Sequence, residues 1–299
     1  MADDVYVRLD ERGVIGLAGE DARSFLQGLI SNDVGRVATD NAIYGALLTA
    51  QGKFLHDFIL AEWQGGLLLD CEAARLPDLL RRLTLYRLRA KVQLANHSES
   101  IAVYVLPGAG ASDRLGLGQK AGATRPFSGG IALVDPRLPA LGTRVYGPAA
   151  EMAAALAALG FRPGVSADYH AHRIALGIPD GSRDLAVEKA FLLENNFEEI
   201  NGVDFKKGCY VGQELTARTK YRGLIRKRLF RVDAEGPLPP PGTLIMLGDK
   251  EAGVMYSGLG HSGLALLRLE QIEEAAQSGE RLRAGDATLT PVKPAYAHF

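Results

Sequence analysis

KGCYVGQELTARTKYRG, residues 207–223, is the stretch on which the reading of this chain turns. It holds Cys209, one of only two cysteines, two residues from the ammonium of Lys207 and flanked by Gly208 and Gly212, which let the backbone approach a neighbour closely. A nearby lysine and a helix expected to begin near Tyr210 both favour the thiolate, the form that attacks or binds metal. The alternative is a buried structural cysteine, because this residue type is so often simply interior. Cys71, inside the apolar strand GLLLDCE, reads as structural.

Working outward, the 299 residues, 47% of them hydrophobic, suffice for a large core and for two or three domains. The 34 basic and 35 acidic residues leave a formal net charge of -1, so no global field draws the chain to nucleic acid or to an anionic membrane. Cys71 and Cys209 form no CxxC pair, which argues against a disulfide framework and against a self-contained zinc site. The N-terminal MADDVYVRLDERG lacks the basic and apolar regions of a secretory signal, and no apolar run reaches the length of a membrane span. A cytoplasmic location with reduced thiols is the expectation.

The spacing of Ala22, Phe25, Leu26, Leu29 and Ile30 predicts a helix over 20–30. Two strand-like runs, 42–49 and 54–63, flank the turn signal Gln51-Gly52 and predict a hairpin, followed by a third strand in GLLLDCE. Leu76, Leu79, Leu80, Leu83 and Tyr86 lie on one helical face. Residues 106–130, dense in glycine and small side chains, read as an irregular connection. Strands are predicted at 101–106, 130–134 and 143–146, and helices at 149–159 and 167–176. Beyond Tyr221, short apolar runs broken by glycine and by Pro239-Pro240-Pro241 predict a small β-domain. The division expected is 1–100, an α+β module; 101–222, a second one that carries the cysteine and interleaves with the first; and 223–299, the β-domain.

The full 207–223 stretch resembles the signature of the YgfZ family, folate-binding proteins related to the glycine-cleavage T-protein. FLQGLISNDV (25–34), YRLRAKV (86–92) and GLALLRL (263–269) resemble that family in the same order, so the similarity covers most of the chain. The resemblance implies an α+β, T-protein-like fold around a central tetrahydrofolate cavity, and a role as an accessory protein in assembling or repairing iron-sulfur proteins. It puts the essential cysteine at Cys209, with Lys207, Tyr210, Gly212, Gln213 and Glu214 beside it. A lone thiolate is a good ligand for iron, so a cluster held here would be shared, transiently, with a partner. Iron-sulfur assembly proteins and their client enzymes are the partners implied.

Asp57 sits in the apolar strand FLHDFIL, where a carboxylate is costly unless paired or turned to water. T-protein relatives carry two adjacent acids near this point, whereas this chain has His56-Asp57; that departure counts against the competing reading, a folate-dependent aminomethyl transferase. Asp57 and Glu194 are candidates for contacts to a pterin ring, Tyr210, Gln213 and Arg218 for the rest of a folate site. Glu194, the weaker of the two pterin candidates, lies in the acidic LLENNFEEINGVDF, and a charge run of this kind most often marks a solvated face. Seven basic residues between Arg218 and Arg231 suit a folate tail, an acidic partner or RNA, the latter not expected, with 226–231 read as a solvated β-edge. His170 and His172, two apart on a helix, point to different sides and read as structural.

Overall fold

In IYGALL and FLHDFILAEW both faces of each strand are apolar, the pattern of a sheet covered on both sides. The computed structural model, which describes residues 4–223 and 225–299, contains that sheet. β1 (Val5–Arg8) belongs to a different sheet; the chain then builds β2 (Arg12–Ala18), α1 (Ala22–Gln27), β3 (Ile43–Leu48), β4 (Phe54–Trp63), β5 (Gly66–Glu72), α2 (Leu76–Arg87) and β6 (Gln93–Asn96). The strand order is β3-β4-β5-β2-β6, all antiparallel. The predicted hairpin is β3–β4. α1 is shorter than the 20–30 expected, because the chain turns at Gly28 and Ile30 bridges to Leu47.

The second sheet follows with β7 (Ala102–Leu106), α3 (Gly110–Arg114), β8 (Thr124–Phe127), β9 (Gly130–Val134), β10 (Thr143–Gly147), α4 (Ala149–Ala158) and β11 (Arg162–Pro163). Its order, β11-β1-β7-β10-β9-β8, draws β1 between β11 and β7, so the two sheets interleave in sequence. The expectation of an irregular 106–130 is corrected here. Ala111 and Leu115 enter a core with Leu106, Ala132, Val145 and Met152, so the small residues mark close packing rather than a loose chain.

The sheets stack face to face. Val14, Tyr44, Ile59 and Leu68 of the first meet Val7, Val103, Ile131 and Tyr146 of the second in one shared core. The outer face of the first sheet is covered by α1 and α2 through Leu26, Leu79 and Leu83, and that of the second by α4 through Met152 and Leu156. α5 (Ser166–Ala175), α6 (Gly181–Asp184) and α7 (Gln213–Arg222) lead to a closed antiparallel barrel. It comprises β12 (Lys227–Glu235), β13 (Leu244–Leu247), β14 (Lys250–Leu259), β15 (Ser262–Arg268), α8 (Leu269–Ser278), β16 (Leu282–Ala284) and β17 (Ala287–Val292). Arg173 of α5 fastens it: the guanidinium donates to Ser257 Oγ on β14 (2.7 Å) and to Asp184 Oδ2 (2.9 Å), while Ser257 N–H donates to Asp184 Oδ1 (2.8 Å).

Candidate functional site

Cys209 is exposed, on a loop fixed at both sides of it. On the near side the Lys207 ammonium donates to three backbone carbonyls, Gln27 (2.8 Å), Ile30 (2.6 Å) and Asn32 (2.9 Å), at the end of α1. The Gln27 carbonyl is one that a helix leaves without a partner at its last turn, while Ile30 and Asn32 belong to the chain just past the helix. On the far side Val211 N–H donates to Gly28 O (3.2 Å). Tyr210 packs against the inter-sheet core and Val211 against the core under α1 and α2. The two residues after the cysteine, Tyr210 and Val211, thus wedge inward while its own side chain faces out. Further back, Asp204 N–H donates to Ser31 O, and Ser31 Oγ and Asn32 Nδ2 donate to the carbonyls of Gly202 and Asn201.

Two glycines make the docking possible. Gly212 has a left-handed backbone (φ +83°), and a Cβ on it would lie 2.4 Å from Thr49 O; one on Gly52 would lie 2.9 Å from Gly212 O. The cysteine loop therefore rests backbone against backbone on the tip of the β3–β4 hairpin. α7 starts only after Gly212, at Gln213, whose Oε1 accepts the Tyr210 N–H (3.2 Å), so the helix expected near Tyr210 begins three residues later. All three Lys207 donors go to carbonyls rather than to the thiol, and burial draws that ammonium down to about 8 against Asp33 and Asp204. Segments 25–34 and 207–212, far apart in sequence, form one physical unit.

The acidic candidates lie elsewhere. His56 and Asp57, adjacent on β4, point to opposite faces of the sheet. His56 Nε2 meets Asp78 Oδ2 of α2 (2.9 Å), and burial pulls the imidazole down to about 4. Asp57 enters the inter-sheet layer, 4% exposed, where Tyr44 OH donates to its Oδ2 (2.8 Å). Burial raises its carboxyl above the usual range despite Arg12 nearby. A second acid at position 56 would face α2, not Asp57.

Around Asp57 lies a polar layer that the sequence reading did not single out. Asp70 accepts from Arg12 Nε (2.6 Å), Arg144 Nη1 (2.9 Å) and Tyr146 OH (2.8 Å). Asp135 accepts from Arg137 Nη2 (2.7 Å) and Arg144 Nε (3.0 Å), and both guanidiniums reach Tyr169 OH (2.9 Å each). Burial would raise Asp135, yet Arg137 and Arg144 hold it well below the usual carboxylate range. The signal was present: Asp70 in GLLLDCE is a carboxylate in an apolar strand, the very feature that drew attention to Asp57.

This layer tests the folate expectation. The recess beside Asp57, between Arg12, Asp180 and Gly181, has about 190 Å³. Pockets for drug-sized ligands begin at roughly 300 Å³. Its lining sets the carboxylates of Glu11, Glu72 and Asp180 beside the guanidiniums of Arg12 and Arg183, so besides being too small for the ligand it offers no free cationic surface to a folate glutamate tail. Glu194 is on another face, half-buried and drawn up by burial against the pull of Lys227 and Lys53. Arg218 is exposed on α7 beside Glu214 and Tyr221. Asp57, Glu194 and Arg218 thus have separate surroundings, and the recess does not fit tetrahydrofolate.

The basic run divides as well. The solvated edge expected over 226–231 fails at Arg228, which is buried and donates to Glu199 Oε1 (2.9 Å) and Leu193 O (2.8 Å). His170 bridges Glu11 and Arg173, and His172 Nε2 meets Ala140 O (2.7 Å), so the two histidines share no ligand. Cys71 is buried, and burial pushes its thiol up to about 12. Among the described residues, no group of three or more His, Cys, Asp or Glu side chains is arranged to hold a metal, and no helix is long and apolar enough to cross a membrane.

Two facing sheets followed by a closed barrel define the aminomethyltransferase class of fold. The structure is similar to the glycine cleavage system aminomethyltransferase T of Bartonella henselae, with a TM-score of 0.76 at 14% identity over 98% of this chain and 86% of that one. Residues 226–299 match the family model of the CAF17 C-terminal beta-barrel domain. In sequence the chain is 39% identical to the mitochondrial iron-sulfur cluster assembly factor IBA57 of Homo sapiens, covering 89% of this chain and 78% of that protein. It is 32% identical to the mitochondrial IBA57 homologue of Neurospora crassa, covering 91% and 72%. The chain belongs to the IBA57 family of iron-sulfur cluster assembly factors. The cytoplasmic expectation does not stand, because these relatives are named as mitochondrial proteins. The features behind it speak to secretory export and membrane spans, and do not distinguish other compartments.

Proposed function

We propose that this chain, whose 207–223 stretch resembles the YgfZ signature, is an accessory factor for assembling or repairing iron-sulfur proteins, and that Cys209 is the residue through which it acts. The observation that carries this reading is the mounting of Cys209: exposed, with Lys207 before it clamped to the turn after α1 and Tyr210 and Val211 after it packed on the cores behind. A rigidly presented thiolate is a ready ligand for iron. One protein ligand does not complete a cluster, which ordinarily takes four, and among the described residues no group of three or more His, Cys, Asp or Glu side chains is placed to supply the rest. The cluster is therefore cargo, bridged for a time between Cys209 and the thiolates of a carrier or client. The thiolate would join the iron as another ligand leaves, and the loop, already ordered, would lose little entropy on binding.

This reading routes no step through folate. The test is complementation of a strain that lacks its own factor, with iron-sulfur enzyme activity as the readout. We expect Cys209→Ser to leave at most a few per cent of the restored activity while the protein remains folded. Full restoration by the serine variant would overturn the role of the thiol. Formation of methylene-tetrahydrofolate from an aminomethylated donor at a rate indifferent to that substitution would instead favour the transferase reading.

A further inference from the structure

The far end of β4 from the cysteine loop, ten residues along the strand and ~30 Å away, carries a cleft that the reading above leaves unused. It has about 560 Å³, within the roughly 300–1,000 Å³ of small-molecule sites. It opens where the inter-sheet core gives out: Gly16, Ala18, Gly66 and Ala95 offer no side chains to fill the space between the end of the first sheet and the turn at Gly129 of the second. Ile101 gives the cleft an apolar side chain, while Leu17 and Leu67 line it with backbone, their side chains turned into the core under α1 and α2.

Its chemistry is selective. None of the fourteen lining residues is an acid, a lysine or an arginine, although 23% of the chain is charged, so the lining holds no permanent charge to pair with an entering ion. Trp63, the chain's one tryptophan, and His97 each contribute a π face. The imidazole rests directly on the strand, since a Cβ on Gly16 would lie 2.4 Å from it, and among the described residues no hydrogen bond engages its ring. Gln64 and Gln93 each bring a carboxamide, an acceptor beside two donors.

We infer that this cleft binds an uncharged planar heterocycle, stacked on Trp63 or His97 and read along its edge by Gln64 and Gln93. Because Trp63 is the sole tryptophan, intrinsic fluorescence of the full chain reports this site directly. Titration with adenosine and guanosine should give saturable quenching, at least tenfold weaker when AMP replaces adenosine. Ala95→Phe, which fills the cleft, should abolish saturation, and the exposed Gln93→Leu should weaken it several-fold; circular dichroism checks that each variant is folded. Quenching that never saturates, AMP binding as well as adenosine, or saturation that survives both substitutions would overturn the assignment.

Discussion

Lys207 shows how a side chain's partners decide its role. An ammonium two residues from a thiol suggests activation, yet its donors are spent on the carbonyls of Gln27, Ile30 and Asn32. It acts as a positioning residue for the loop. We expect Lys207→Met to cost about 1–3 kcal/mol in urea unfolding. Alkylation of Cys209 at a fixed pH should not slow, whereas removing an activating lysine would slow it. His56 sets a different prediction. Its folded pKa of about 4 lies below the ordinary value of 6.5, so the unfolded chain takes up a proton first as pH falls. Stability should be lost between about pH 6.5 and 4, by up to about 3 kcal/mol, and not further below from this group. Unfolding midpoints across that range would show a slope that flattens in His56→Gln. Both roles were hidden in the sequence, because each depends on a partner that only the fold supplies.

At the scale of elements, the β3–β4 hairpin, the cover helices α4 and α5 and the strands of the barrel were legible, since their apolar periods and turn residues are local properties. The ends were less so. The start of α7 is set by the left-handed Gly212, whose conformation follows from contact with the hairpin tip rather than from any neighbour in sequence. Replacing that glycine is the corresponding test. Gly212→Ala places a methyl against Thr49 O on a backbone that L-residues resist, and should cost about 1–3 kcal/mol. Faster proteolysis between residues 205 and 215 would accompany it. Unchanged stability and cleavage would mean that the loop does not rest on the hairpin as described.

Across the whole molecule, the ionic layer between the sheets was the least legible part. Arg12, Asp70, Asp135, Arg137 and Arg144 come from four separate stretches, and nothing local to any of them reveals the others as partners. Together they form one paired ionic layer between the two sheets. Breaking one such buried pair usually costs about 3–5 kcal/mol, because the remaining charges are left without compensation. Asp70→Asn should therefore be among the most damaging single changes, lowering the melting temperature by several degrees or more. A value near wild type would show that water readily reaches the layer. The lesson for reading such chains is that charged residues in apolar strands are best considered as a set, since their meaning lies in mutual pairing.

The clamp between Lys207 and Gln27 spans 180 residues of chain. During synthesis, α1 emerges long before the lysine that will grip it, and closing so large a loop waits until both sheets exist. Cys209 thus acquires its outward pose only in a finished molecule. A half-made chain offers iron a floppy thiol at most, and the same contact that holds the cysteine certifies that the rest of the protein has arrived.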